Sequence, residues 1–199
     1  DLSENTYILF LADNGGVPSF PPPGPTRFAH PDDYPRPGFN HPLRGGKWNL
    51  FEGGIRVPFI VAGPGIAAKS QCDVPVTGWD ILPTIGELAG YSPPLPADVD
   101  GASFADLLAK GNAGQMDRTG KAMVFHRFTN AYPHSAIRQG NFKLIKFWKT
   151  KEILLFDLAK DPQEKHDLAA AMPAKKDELH QALLAYLKSV DAEILKDYP

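Results

Sequence analysis

The chain has 199 residues, 43% of them apolar and 22% charged, with a formal net charge of −2. That length can bury a sizeable core in one or two domains, and the apolar share excludes wholesale disorder. Acids and bases are interspersed, which argues against a nucleic-acid or membrane-surface partner, and no apolar run approaches the length of a bilayer span. The single cysteine, Cys72, excludes an internal disulfide and leaves the redox compartment open. The chain opens on Asp1 without Met, so it reads as a processed or cut piece, and no signal peptide is visible.

Thr6 to Ala12 is a continuous apolar run with β-branched and aromatic members, the pattern of a strand buried on both faces. Gly15 and Gly16 end it. Residues 17 to 42 are dense in proline, a long excursion rather than a helix or strand. A second buried strand is expected from Val57 to Gly63. Thr77 or Asp80 can cap a helix through Ile81, Leu82, Ile85 and Leu88, with Pro83 tolerated in its first turn and Gly90 as its stop. A second short helix is expected from Ser103, with Gly111 beyond its end. Residues 111 to 120 are small and polar, the best boundary between a portion spanning 1–115 and a unit spanning 120–199.

Past that boundary the pattern changes. Lys121–Phe128, Ser135–Arg138, Phe142–Trp148 and Glu152–Asp157 read as short strands, with Gly140-Asn141 as a hairpin turn. From Pro173, Leu179, Leu183, Tyr186, Leu187, Val190 and Ile194 form the stripe of an amphipathic helix that covers one face of that sheet. The fold class is therefore α/β: part of a parallel or mixed sheet with flanking helices, followed by a small α+β subdomain with an antiparallel sheet and a C-terminal helix.

Two segments near the start carry chemistry. Asp13 and Asn14 close the first strand, where open α/β sheets place ligands, and their hard oxygens suit Ca²⁺ or Mg²⁺. Taken alone, Asp-Asn-Gly-Gly is equally good turn chemistry, and the turn is the simpler reading. Lys47 follows two glycines and precedes Glu52-Gly-Gly. An ammonium there can act as a point charge on a sulfate or phosphate oxygen, although a lone lysine is usually a surface residue. The spacing is not that of a Walker loop. Glu52 and Arg56 read as a structural pair, and Arg44 as either an anion contact or a loop anchor.

The order of these segments resembles the type I sulfatases of the alkaline-phosphatase superfamily. The matching pieces are Asp13-Asn-Gly-Gly, Pro42-Leu-Arg-Gly-Gly-Lys with Glu52-Gly-Gly-Ile-Arg-Val-Pro, and Trp79-Asp-Ile-Leu-Pro-Thr. Asp100-Gly-Ala-Ser, Ile137-Arg-x-Gly-x-Phe-Lys-Leu-Ile and Leu155-Phe-Asp-Leu-x-x-Asp-Pro-x-Glu follow in register. The resemblance implies that Asp13 and Asn14 bind a metal, usually Ca²⁺ with Mg²⁺ as the alternative, and that Lys47 contacts the sulfate oxygens. It implies hydrolysis of a sulfate monoester, carried by a small molecule or a glycan, and a periplasmic, secreted or lysosomal setting.

The formylglycine motif Cys-x-Pro-Ser-Arg is absent. Cys72 stands in Cys-Asp-Val-Pro-Val and is not the nucleophile. The family's first metal-binding Asp pair, its arginine and further lysine and histidines belong to an N-terminal half, so this half is an expected partner and the chain alone is expected to be inactive. Phosphoester or phosphonate hydrolysis by the same superfamily, or a non-catalytic remnant, are the competing readings. Arg44 is a candidate substrate contact through the anion, and His126, Arg127 and His134 could touch the organic part of the ester, while the bland alternative for the last three is a half-exposed strand and its loop. Tyr132 belongs to the same cluster. Arg27, His30 and His41 of the proline-rich stretch could shape the cleft mouth. Asp80 is expected to cap its helix rather than touch substrate.

Overall fold

A computed structural model describes residues 2–17, 40–96, 98–118, 122–128 and 132–194. Arg27 and His30 lie outside the described residues. The chain divides into two compact units: Asp1–Leu11 with Phe59–Lys121, and Ala12–Pro58 with Ala122–Pro199.

In the first unit, β1 (Ile8–Leu11) pairs antiparallel with β2 (Phe59–Ala62), Phe10 standing opposite Ile60 and Ile8 opposite Ala62. Period-2 alternation puts these four on one face of the ribbon, and that face is open: Ile8, Phe10 and Ile60 are 64%, 61% and 60% exposed. The opposite face is better covered, Phe59 meeting Phe104 edge-on with ring centroids 5.6 Å apart. Burial on both faces, expected from the unbroken apolar run, is thus seen on one side only. Two strands alone cannot screen both of their faces.

Asp80 begins the helical part of this unit. Its buried carboxylate accepts the Thr77 N–H at 2.7 Å and the Thr77 hydroxyl at 2.9 Å through Oδ2, and the Ala102 N–H at 3.0 Å through Oδ1. Arg118 completes the set as its ion-pair partner. A turn over Gly78–Asp80 then runs into α2 (Ile81–Leu88), which ends at Gly90 with φ of 70°. Asp80 is a helix anchor, as expected. Shorter α3 (Ala105–Lys110) follows and stops at Gly111, φ 59°. Cys72 is exposed, in irregular chain.

The second unit is built on a four-stranded antiparallel meander: β3 (Met123–Arg127), β4 (His134–Gln139), β5 (Phe142–Phe147) and β6 (Ile153–Asp157), in that order. Gly140, at φ 58°, and Asn141 make the two-residue turn between β4 and β5. Alternation divides the side chains between two cores. Ala136, Ile145, Leu154 and Phe156 face a cluster completed by Leu50 and Phe51. Ile137, Leu144 and Leu155 face the other way, onto Leu179, Leu183 and Leu187. Those leucines come from α4 (Pro173–Ser189), one stripe four residues apart. Tyr186 and Val190, expected on that stripe, are 41% and 53% exposed. The leucine ridge is the fully buried part of the helix, with Ala182 and Leu184 packed partly buried beside it, and Tyr186 and Val190 lie outside that contact.

A sheet with both faces occupied explains the unbroken apolar run of β6. Among the described residues, no helix is long and apolar enough to cross a membrane.

Candidate functional site

The two segments singled out in the sequence lie together in the second unit. Gly15 N–H donates to Gly54 O at 2.9 Å, and Lys47 N–H donates to Gly16 O at 3.0 Å. Asn40 stitches the same crossing: Oδ1 accepts the Gly16 N–H at 2.7 Å, while Nδ2 donates to Gly16 O and Gly45 O at 3.0 and 3.1 Å. Nothing in the spacing around Asn40 pointed to this role.

Glycine is required because backbone packs directly on backbone here. A Cβ on Gly53 would lie 2.5 and 2.6 Å from the carbonyl oxygens of Arg44 and Gly45, and one on Gly15 would overlap Gly53 O. At Gly15 and Gly53 the missing Cβ makes room for the chain itself.

From this crossing Asp13 projects as an exposed residue and Asn14 as a half-buried one. Asn14 Nδ2 donates to Gly15 O at 2.9 Å, which turns the amide so that its oxygen faces away from that bond. Carboxylate and amide oxygen are the donor types a hard cation takes, but Ca²⁺ takes 6–8 of them. Among the described residues no group of three or more His, Cys, Asp or Glu side chains gathers around a point. The donor chemistry fits a divalent cation, and the donor number supplies only part of its shell.

Lys47 is half-buried, its Nζ 5.7 Å from the centroid of the neighbouring Trp48 ring. Trp48 has φ of 78°. A bulky residue in the left-handed region costs on the order of 1–3 kcal/mol, and such strain persists only where surrounding structure imposes it.

That imposition is visible. Glu52 begins a single helical turn, α1 (Glu52–Ile55), and its N–H donates to Glu164 Oε2 at 2.6 Å. Arg44 Nη1 donates to Glu164 O at 2.9 Å, and its guanidinium lies 4.2 Å over the Phe51 ring. Lys143 Nζ sits 2.9 Å from Glu52 Oε1 and 2.9 Å from Glu164 Oε1, all three side chains being at most 2% exposed. Burial pushes the Glu164 carboxyl above the usual carboxylate range, and the Lys143 ammonium and the Glu52 N–H draw it back.

His134 adds a fourth tie. Its Nε2 accepts the Leu50 N–H at 3.1 Å and its Nδ1–H donates to Tyr132 O at 2.8 Å. Burial, chiefly, lowers its pKa to about 4, so the ring is neutral and in the Nδ1–H form.

The expected substrate contacts have these places in the structure. His134 is fully buried with both ring nitrogens used inside the protein. His126 is likewise occupied: its Nδ1 lies 2.7 Å from Ser135 Oγ and its Nε2 2.8 Å from Glu193 O. A carbonyl only accepts, so Nε2–H donates to Glu193 O, and Trp148 Nε1–H donates to the same Ser135 Oγ at 2.8 Å. Arg44 resolves as a loop anchor. Arg127 is half-buried near Tyr132 O at 3.4 Å, and burial lowers its pKa. Tyr132 packs on His134 and Phe147, and His41 is exposed. A separate groove of about 690 Å³ in the first unit is lined by none of these residues.

Comparison with known proteins converges on one group. Residues 46–193 match the family model described as N-sulphoglucosamine sulphohydrolase, C-terminal. The chain is 29% identical to the steryl-sulfatase of Rattus norvegicus, over 84% of this chain and 32% of that protein. It is 29% identical to a sulfatase of Formosa agariphila, over 87% of this chain and 30% of the relative. Among solved structures, BT4656 in complex with its substrate D-glucosamine-2-N,6-O-disulfate superposes with a TM-score of 0.66 and 26% identity, covering 93% of this chain and 34% of that one. The chain thus spans about a third of the length of the curated relatives it matches.

Proposed function

This chain belongs to the sulfatase family, matching its C-terminal region, and from that premise we propose that it supplies part of the metal and sulfate site of a sulfate-monoester hydrolase. The observation that carries the reading is the hydrogen-bonded crossing of Asp13–Gly16 with the Lys47 loop. In it Lys47 presents an ammonium to the sulfate oxygens. Because the loop is tied before any ligand arrives, little reorganisation opposes the interaction, the condition under which such electrostatic contacts are most effective. Asp13 and Asn14 would hold a divalent cation, Ca²⁺ or Mg²⁺, whose charge offsets that growing on the transferring group. Lys47 acts by charge and position rather than by proton transfer.

The substrate class is a sulfated small molecule or glycan, and the attacking group comes from outside this chain. By the same resemblance the setting is periplasmic, secreted or lysosomal.

The test is a nuclear magnetic resonance titration of the whole chain with sodium sulfate, with and without CaCl₂. Sulfate is expected to shift the Lys47 and Trp48 amide resonances, and Lys47→Ala is expected to abolish the response. Calcium is expected to shift those of Asp13 and Asn14. The purified chain is expected to release no product from an aryl sulfate. Sulfate shifts that persist in Lys47→Ala, or turnover by the chain alone, would overturn the assignment.

A further inference from the structure

We propose that Glu164 is a positioning residue that sets the loop carrying Lys47 by holding both of its ends. Resting on the reading of Lys47 as a sulfate contact, it assigns a role to a residue remote in sequence from either motif.

Glu164 makes three separate attachments. Its backbone oxygen takes Arg44 Nη1, just before Gly45-Gly46-Lys47, and its Oε2 takes the N–H of Glu52, just after the loop. Its Oε1 shares the Lys143 ammonium with the Glu52 side chain. One residue thereby brackets the segment from Gly45 to Phe51.

The residue is held in its own turn by unusual means. Glu164 has φ of 56°, a left-handed conformation that a non-glycine side chain adopts at a cost, and its side chain is fully buried. Two buried carboxylates share one ammonium, an arrangement that hydrophobic residues of similar volume would often match or exceed in stability. Stability alone is therefore a weak account of it. What the ions supply is direction: a carboxylate aimed along one N–H and one ammonium fixes where Glu52 begins its helical turn, and so where the strained Trp48 and its neighbour Lys47 come to lie.

Hydrogen exchange on the whole chain, without ligand, tests the clamp. In Glu164→Ala the amides of Lys47, Glu52 and Gly53 are expected to exchange at least tenfold faster than in the wild type, while Leu144 and Leu155 in the sheet keep their rates. In Glu164→Gln the side-chain carbonyl can still accept from the Glu52 N–H, so part of the protection should return. If Glu164→Ala does not fold, the Gln variant decides, with exchange at Glu52 and Gly53 expected a fewfold faster than in the wild type. Unchanged loop exchange in the variants that fold, or acceleration spread evenly over the sheet, would overturn the proposal.

The sulfate titration supplies the second readout. A clamp predicts that Glu164→Gln weakens the Lys47 response severalfold, and an equal response in wild type and variant would also overturn it. A wild-type chain in which sulfate leaves Lys47 unmoved would refute the sulfate reading instead, and the exchange rates would still decide the clamp.

Discussion

At the scale of single residues, the Lys47 loop owes its shape to buried side chains that tie it to the sheet unit. His134 shows the physics most directly. Its Nε2 must carry a lone pair to accept the Leu50 N–H, so protonation both removes an acceptor and buries a charge. With a pKa near 4 in the folded state against 6.5 in the unfolded, the unfolded chain binds more protons between those values. Stability therefore rises with pH across that window: the contribution is complete above about pH 6.5 and lost as pH falls toward 4. It amounts to roughly 3 kcal/mol at one pKa unit per 1.36 kcal/mol. Urea melts of the whole chain at pH 7 and pH 4.5 should show this loss, and in His134→Gln the part of the slope that belongs to the imidazole should vanish. A wild-type slope unchanged in that variant would refute the attribution. Lys47, Asp13 and Asn14 stand out in the sequence through charge, hard oxygens and glycine spacing, and the crossing that brings their segments together is seen in the structure. Glu164, Lys143 and His134 were not legible as loop anchors, since their partners in the loop lie 84 to 120 positions away. No local pattern encodes a contact at that separation.

At the scale of elements, the meander and its helix were the most legible parts. Strands β3 to β6 begin and end close to the apolar runs that suggested them, because alternation and a Gly-Asn turn determine both the pairing and the register. The helix obeys a narrower rule than its apolar content implied. Leu179, Leu183 and Leu187 are 0%, 0% and 2% exposed, whereas Tyr186 is 41% exposed. Truncating Leu183→Ala should cost about 3 kcal/mol, within the range for buried leucines, and Tyr186→Ala about 1 kcal/mol or less. Chemical denaturation checks the ranking, which fails if the two losses are equal. Less legible was the single turn α1, whose Glu-Gly-Gly-Ile sequence has poor helix propensity. It forms because Glu164 and the carbonyl of Arg44, which accepts the Gly53 N–H at 2.7 Å, satisfy its first donors from outside.

At the scale of the whole molecule, the open face of the β1–β2 ribbon is the feature most at odds with an independent soluble protein. Ile8, Phe10 and Ile60 make one contiguous apolar surface on a two-stranded sheet, a surface that invites cover. The purified chain is expected to self-associate, and Phe10→Lys to shift it toward monomer, as read by sedimentation velocity. A wild-type chain that sediments as a monomer at tens of micromolar would count against this. The Glu164 contacts also have a bearing on biosynthesis. Glu52 and its partner Glu164 are 112 residues apart, so the loop emerges from the ribosome long before the residue that closes it. Truncated chains ending before Glu164 would therefore carry every residue of the Lys47 motif without its geometry. A stop codon just ahead of position 164 would act on the Lys47 loop without altering a single residue there.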